Sequence, residues 1–153
     1  MGAVMILSRA SEYAIRAMVY MAGRQDDGPI QLKEIAEAES IPFHFLAKTM
    51  QVLTRIRLVK SYRGPHGGFT LMKPASEIHL FDIVNAFDAI SQWETTCVLG
   101  INPCSDDVVC PLHDDWSPIK TMIFQLFEQK TLDELVGKIE EKREKLRELG
   151  MTG

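Results

Sequence analysis

Cysteine is scarce in this chain. Only three occur in 153 residues, too few and odd in number for a disulfide framework. Long apolar runs are missing too: none approaches the roughly 18 residues that span a bilayer. The apolar start, Met1-Gly2-Ala3-Val4-Met5-Ile6-Leu7, is too short for a signal peptide and lacks its basic flank. The expectation is a cytoplasmic protein with no membrane association, whose thiols stay reduced. No nucleophile–base pair, phosphate loop or paired catalytic carboxylates stand out, so no enzyme is expected. No internal repeat or low-complexity segment is present. What remains, 46% hydrophobic and 25% charged, is the composition of a globular protein. The length suits one ordinary domain, or a small domain with an appended dimerisation element.

Acids are absent from one long stretch. Between Ser40 and Ser76 there is no Asp or Glu, but there are Lys48, Arg55, Arg57, Lys60, Arg63 and Lys73, with His44 and His66. The net charge of −4 conceals this: residues 1–74 carry ten basic and six acidic residues, and residues 75–153 carry seven and fifteen. A basic stretch within an acidic protein is the electrostatic footprint of a polyanion site.

Periodicity places elements around that stretch. Tyr13, Ala14, Ala17, Met18 and Met21 recur at helical spacing and predict a first helix over residues 8–22. Leu32, Ile35 and Ala36 mark a short helix ending near Ser40. Pro42 suits the first position of the next helix, whose buried stripe is Leu46, Met50, Leu53 and Ile56. Two short helices joined by a tight turn suggest a helix-turn-helix. Leu58-Val59-Lys60-Ser61-Tyr62-Arg63, the turn Gly64-Pro65-His66-Gly67-Gly68 and the returning Phe69-Thr70-Leu71-Met72 read as a β-hairpin. A helix-turn-helix followed by such a hairpin is a winged helix. Leu80, Ile83, Val84, Phe87 and Ile90 predict a closing helix. Ile119, Met122, Ile123, Leu126 and Phe127 give a long amphipathic helix, and Thr131-x-x-Glu134 is a capping box opening a last one. That last helix is expected to be exposed and salt-bridged, with Glu141 and Lys145 paired. The fold class expected is mainly α with a small β-hairpin wing. It divides into a winged helix-turn-helix domain at residues 5–91, a cysteine loop at 92–116, and a dimerisation helix plus C-terminal helix at 117–150.

A recognition helix presents its N-terminal residues to base edges in the major groove; here these are Phe43, His44, Ala47 and Lys48, with Gln51 and Thr54 further along. Their polar content is small, so base reading is expected to be modest. Lys48 reads equally as ordinary surface charge, and Arg55 and Arg57 read as helix-surface charges. At the wing tip, Arg63, Gly64, Pro65 and His66 form a thin hairpin that suits a narrow minor groove, where negative potential is strongest.

The three cysteines lie together as Cys97-x6-Cys104-x5-Cys110-x2-His113. Thiolates are soft donors suited to iron–sulfur clusters or zinc, and three Cys with one His could close a zinc tetrahedron. Zinc ligands are usually paired more tightly than this. The wide spacing suits a larger object with two irons presenting separate positions, which puts a cluster slightly ahead of zinc. A loop rich in Asp106, Asp107, Asp114 and Asp115 is unlike a buried core.

These motifs, taken together, resemble the IscR/NsrR-type family of bacterial iron–sulfur transcription regulators. The resemblance is carried by Ser8-x4-Tyr13-Ala14, Leu32-x2-Ile35-Ala36, Leu46-x6-Leu53, Leu58-Val59, the wing Arg63-Gly64-Pro65-x-Gly67-Gly68-Phe69 and the cysteine triplet. It spans about residues 5–137, and residues 1–4 read as an extension. The resemblance implies a homodimer whose long helix, at about residues 117–129, crosses its partner, and a roughly palindromic double-stranded DNA operator. It also implies an iron–sulfur cluster, [2Fe-2S] or [4Fe-4S] with [2Fe-2S] favoured, on Cys97, Cys104 and Cys110. The fourth ligand implied is a His just after the third Cys, here His113, or an acid early in the first helix of the other subunit, here Glu12. One extra residue between Cys97 and Cys104 departs from the IscR pattern and leaves both open. His113 has the smaller closure entropy, since it sits beside Cys110. The function expected is a repressor whose operator affinity follows cluster state, with oxidation, nitric oxide or iron loss as the signal. The alternatives are a winged-helix regulator with zinc or free thiols, and a small electron-transfer protein.

Overall fold

The structure, a computed structural model, describes residues 6–151; the domain start expected at Met5 and the extension at residues 1–4 lie outside them. Helix α1 (Arg9–Ala22) starts where the Ser8 hydroxyl accepts the Ser11 N–H at 3.2 Å, which satisfies one orphan donor of the first turn. Ala14, Ala17, Met18 and Met21 are buried as their spacing predicts, and Val19 and Tyr20 join them. Helix α1 is covered on several sides, so its buried face is wider than one stripe.

Helices α2 (Leu32–Ala38) and α3 (Phe43–Arg55) form the helix-turn-helix. Their turn is closed by the Ile41 N–H donating to the Ala36 carbonyl at 2.9 Å. Pro42 stands just outside α3 as its cap, not as its first residue. Leu46, Met50 and Leu53 are buried, but Ile56 is 40% exposed: α3 stops at Arg55, so Ile56 leaves the helical stripe it was expected to extend.

Strands β1 (Val59–Tyr62) and β2 (Gly68–Leu71) pair antiparallel, with Val59 opposite Leu71 and Tyr62 opposite Gly68. Ile30 bridges to Phe69 from the far side, with N–H···O distances of 3.0 and 2.8 Å. Gly68 makes this approach possible. A Cβ there would lie 2.4 Å from the Ile30 carbonyl oxygen, and its φ of 151° is one that side chains avoid.

Helix α4 (Leu80–Asp88) opens with the His79 N–H donating to the Asp82 carboxylate at 3.1 Å and ends at Ala89 in the left-handed region. It is shorter than its apolar stripe. Ile90 begins a 3-10 turn (Ile90–Thr95) yet still packs with Val84 and Phe127 in a second, smaller core. Helix α5 (His113–Gln129) begins four residues earlier than residue 117. Its apolar stripe divides. Phe127 is buried and Ile123 half-buried against the second core, whereas Ile119, Met122 and Leu126 point to solvent.

Helix α6 (Leu132–Glu148) carries the expected Thr131–Glu134 box. Two bonds, Leu80 N–H to Lys130 O and Leu132 N–H to Ile78 O, both 2.8 Å, clamp its start to α4. Leu132 is fully buried in the main core, with Leu135, Val136 and Ile139 packed against it. The last helix therefore helps to close the reading domain. Its ion pairs include Lys138–Glu141 at 3.1 Å, where the sequence suggested Glu141 with Lys145. Among the described residues, no helix is long and apolar enough to cross a membrane.

Candidate functional site

Helix α3 turns Leu46, Thr49, Met50 and Leu53 inward. That leaves Phe43, His44 and Lys48 exposed at its N-terminal end, with Ala47 half-buried. Phe43 is 50% exposed and packs edge-on against the His44 ring, with centroids 6.2 Å apart. Phe45, not singled out from sequence, is 61% exposed and meets Tyr13 edge-on. This end is an apolar and aromatic surface able to pack on thymine methyl groups. Gln51 is exposed, but the Thr54 hydroxyl donates back to the Met50 carbonyl at 2.8 Å.

Arg63, Gly64, Pro65 and His66 are all exposed at the tip of the β1–β2 hairpin. Lys60 lies over the Tyr62 ring at 4.9 Å. Hydrogen bonds with Thr70, then with Lys60, hold the Tyr62 phenol below its ordinary range. Lys60 and Tyr62 thus share the wing strand that leads to Arg63, a pairing that strand alternation would have indicated.

The cysteine segment is tied down at its first two cysteines. The Cys97 N–H donates to Asn102 Oδ1 at 2.9 Å, and the Cys104 N–H to the Thr95 carbonyl at 2.9 Å. The sulfurs form pairs. Cys97 Sγ lies 3.6 Å from Cys110 Sγ, and Cys104 Sγ lies 3.7 Å from His113 Nδ1. The backbone N–H of Leu99, joined by those of Ile101, by Cys110 and by Lys120, draws the Cys97 thiol below its ordinary pKa against the effect of its burial.

His113 is the first residue of α5 and is buried, not set in an open loop. Its Nε2 lies 2.9 Å from Asp106 Oδ1, which orients the ring so that Nδ1 faces Cys104. Lys120 was missed from sequence. It is buried, and its ammonium donates to the Glu94 carbonyl at 2.7 Å and to Cys104 Sγ at 3.5 Å. Its signal, a lysine two turns into the helix that follows the cysteines, is too common to notice. Glu12 lies elsewhere, held by Arg16 at 3.4 Å and Arg9 at 3.8 Å. Among the described residues, no three His, Cys, Asp or Glu side chains converge as a site for a single metal ion.

Three thiols and an imidazole are donors that suit a soft metal or an iron–sulfur group. Bonds of about 2.3 Å to sulfur and about 2.0 Å to nitrogen at a tetrahedral ion put two thiolates about 3.7 Å apart, and a thiolate and an imidazole about 3.5 Å apart. Both observed pairs lie near that separation, which is also the contact distance of unligated thiols and imidazoles. An imidazole whose second nitrogen is held by a carboxylate is also the usual arrangement of a metal-binding histidine.

Comparison with known proteins agrees with this architecture. A chain of Aquifex aeolicus named as an HTH-type transcriptional regulator is 36% identical over 90% of this chain and 95% of its own length. The HTH-type transcriptional regulator IscR of Pectobacterium carotovorum is 32% identical over 87% of this chain and 80% of its own. The structure of CymR, the global cysteine regulator of B. subtilis, superposes with a TM-score of 0.74 at 24% identity, covering 88% of this chain and 98% of that one. The family model for Rrf2, iron-dependent transcriptional regulator, matches residues 7–138. A winged helix-turn-helix with this wing, together with that match over most of its length, makes the chain a member of the Rrf2 family of DNA-binding transcriptional regulators.

Proposed function

We propose that this regulator is a repressor whose grip on a roughly palindromic operator is set by an iron–sulfur cluster, [2Fe-2S] in type, held by Cys97, Cys104, Cys110 and His113. The observation that carries the reading is the pairing of donors at 3.6 and 3.7 Å, each the spacing of two ligands on one tetrahedral centre. His113 is favoured over Glu12 of the partner subunit as fourth ligand. Its ring is already oriented by Asp106, whereas Glu12 is engaged by two arginines.

A bound cluster would supply a tie between these side chains that oxidants, nitric oxide or iron loss can cut. The protein's own groups supply the rest. Lys120 offsets thiolate charge at Cys104 from within the fold. Asp106 holds the His113 ring. Because His113 is the first residue of α5, order in the cysteine segment fixes where α5 starts. Helix α5 carries the exposed row Ile119, Met122 and Leu126, the face suited to a second copy of the chain. Two half-sites about 34 Å apart demand a fixed spacing between recognition helices, and α5 is the element through which the cysteine segment sets it. A cytoplasmic location, where thiols stay reduced, suits this chemistry.

Cys104→Ala tests the proposal. The variant should lose the visible absorbance of anaerobically purified protein and change operator affinity by about 5- to 150-fold. Retained absorbance, or unchanged affinity, would contradict it.

One observation favours a second reading. Cys97 and Cys110 are close enough that a peroxide could join them, two thiols losing their protons and electrons to give a disulfide and two waters. Iron and sulfide analysis separates the readings: a free-thiol sensor is iron-free as isolated.

A further inference from the structure

A cavity of about 550 Å³ lies away from the cysteines, between α1, α6 and the turn joining α2 to α3. It is within the size range of small-molecule sites, about 300–1,000 Å³. Four arginines line it, Arg16, Arg24, Arg143 and Arg147, against two acids, Glu39 and Glu140. Two of the four guanidinium groups are already committed. Arg16 and Arg143 both bind Glu39 Oε2, at 3.4 and 2.6 Å, and Arg143 also meets Glu140 at 3.3 Å. The other two have no carboxylate partner among the described residues. Arg24 lies over the Tyr20 ring at 4.0 Å, and Arg147 donates to the Arg143 carbonyl.

Glu39 adds an unmet demand. Its side chain is wholly buried, and Oε1 has no hydrogen-bond partner. A buried carboxylate oxygen without a donor is costly, and this one belongs to a residue of the cavity wall. The site thus combines two guanidinium groups that lack a carboxylate partner with an acceptor lacking a donor. Apolar surface beside them comes from Leu146 and Met151.

We infer that this cavity binds a small organic carboxylate bearing a hydroxyl or ammonium group. Its carboxylate meets Arg24 and Arg147, and its donor meets Glu39. Arginine forks match carboxylates in a bidentate manner. Ser40, in the helix-turn-helix turn, also lines the cavity. A bound molecule therefore touches the reading half and α6 together, giving the regulator an input independent of its cysteines.

The test is calorimetric titration of the full-length protein, at constant ionic strength, with L-malate, L-aspartate and, as a carboxylate lacking the extra donor, succinate. Saturable binding of malate or aspartate is expected, weaker by about tenfold or more in Arg24→Ala/Arg147→Ala. It should persist in Lys142→Ala/Lys145→Ala, which removes the same charge from α6 outside the cavity. Succinate should bind at least about threefold more weakly than the better of the other two. The inference is overturned if neither malate nor aspartate saturates, if the arginine variant binds as the native chain does, if the lysine variant loses as much, or if succinate binds equally well.

Discussion

Arg63 stands exposed at the end of a hairpin only four residues deep on each side, and no ion pair holds its guanidinium among the described residues. A charge so placed is available to a phosphate or a narrow minor groove. Arg63→Ala should weaken DNA binding and lower the salt slope of log affinity by about one phosphate unit. An unaltered slope in a salt titration would remove Arg63 from the interface. Asp88 makes a different kind of prediction. Burial raises its pKa, but the Ser8 side chain and the Ser8 N–H, which donates at 3.0 Å, outweigh burial and leave it lowered. A lowered folded pKa means stability that is present above the unfolded value, about 3.9, and is lost as pH falls through the folded one. Asp88→Asn should therefore cost about 1 kcal/mol at pH 7, discounted for its partial exposure. That gap in urea-unfolding free energy should close as the pH falls from about 4 towards 2. A gap of constant size across the range would deny the carboxylate its ionic role.

At the scale of elements, the exposed row of α5 is the feature the single chain leaves unexplained. Met122 is 68% exposed between Ile119 and Leu126, and rows of this kind are buried by a partner. Met122→Glu should convert a dimer to a monomer by sedimentation while leaving the helical content unchanged; an undisturbed dimer would place the interface elsewhere. Gly68→Ala should lower stability by about 2–4 kcal/mol, because its Cβ would press on the Ile30 backbone. A loss under about 0.5 kcal/mol in thermal unfolding would mean that the hairpin shifts freely. The existence of these elements could be read from apolar spacing, the Gly67-Gly68 pair and the Thr131–Glu134 box. Their ends and outward faces could not. The stripe on α5 reads as one continuous row, yet only tertiary packing decides that Phe127 goes in and Met122 out. The early start of α5 is marked only by Asp114 and Asp115 in its first turn, favoured there by the helix dipole but readable from sequence as loop acids.

Across the whole molecule, the reading domain and the cysteine segment were both visible in the sequence as separate features. The spacing of the thiols, an acid-free basic stretch and a glycine-rich wing are local patterns. What brings them into one device is long-range. Glu39 meets Arg143 across 104 residues, Lys120 reaches back to Cys104 across 16, and α6 closes the core that α1 opens. No local rule announces such partners, because each depends on where the chain returns. The measurement that bears most directly on the central claim uses one anaerobic sample. Its iron and sulfide are assayed, and its affinity for a duplex selected with the same protein is measured before and after removal of iron by a chelator. The account predicts two irons and two sulfides per chain, and an affinity change of about 5-fold or more when they are removed. Iron-free protein as isolated, or an affinity indifferent to the loss of iron, would contradict it.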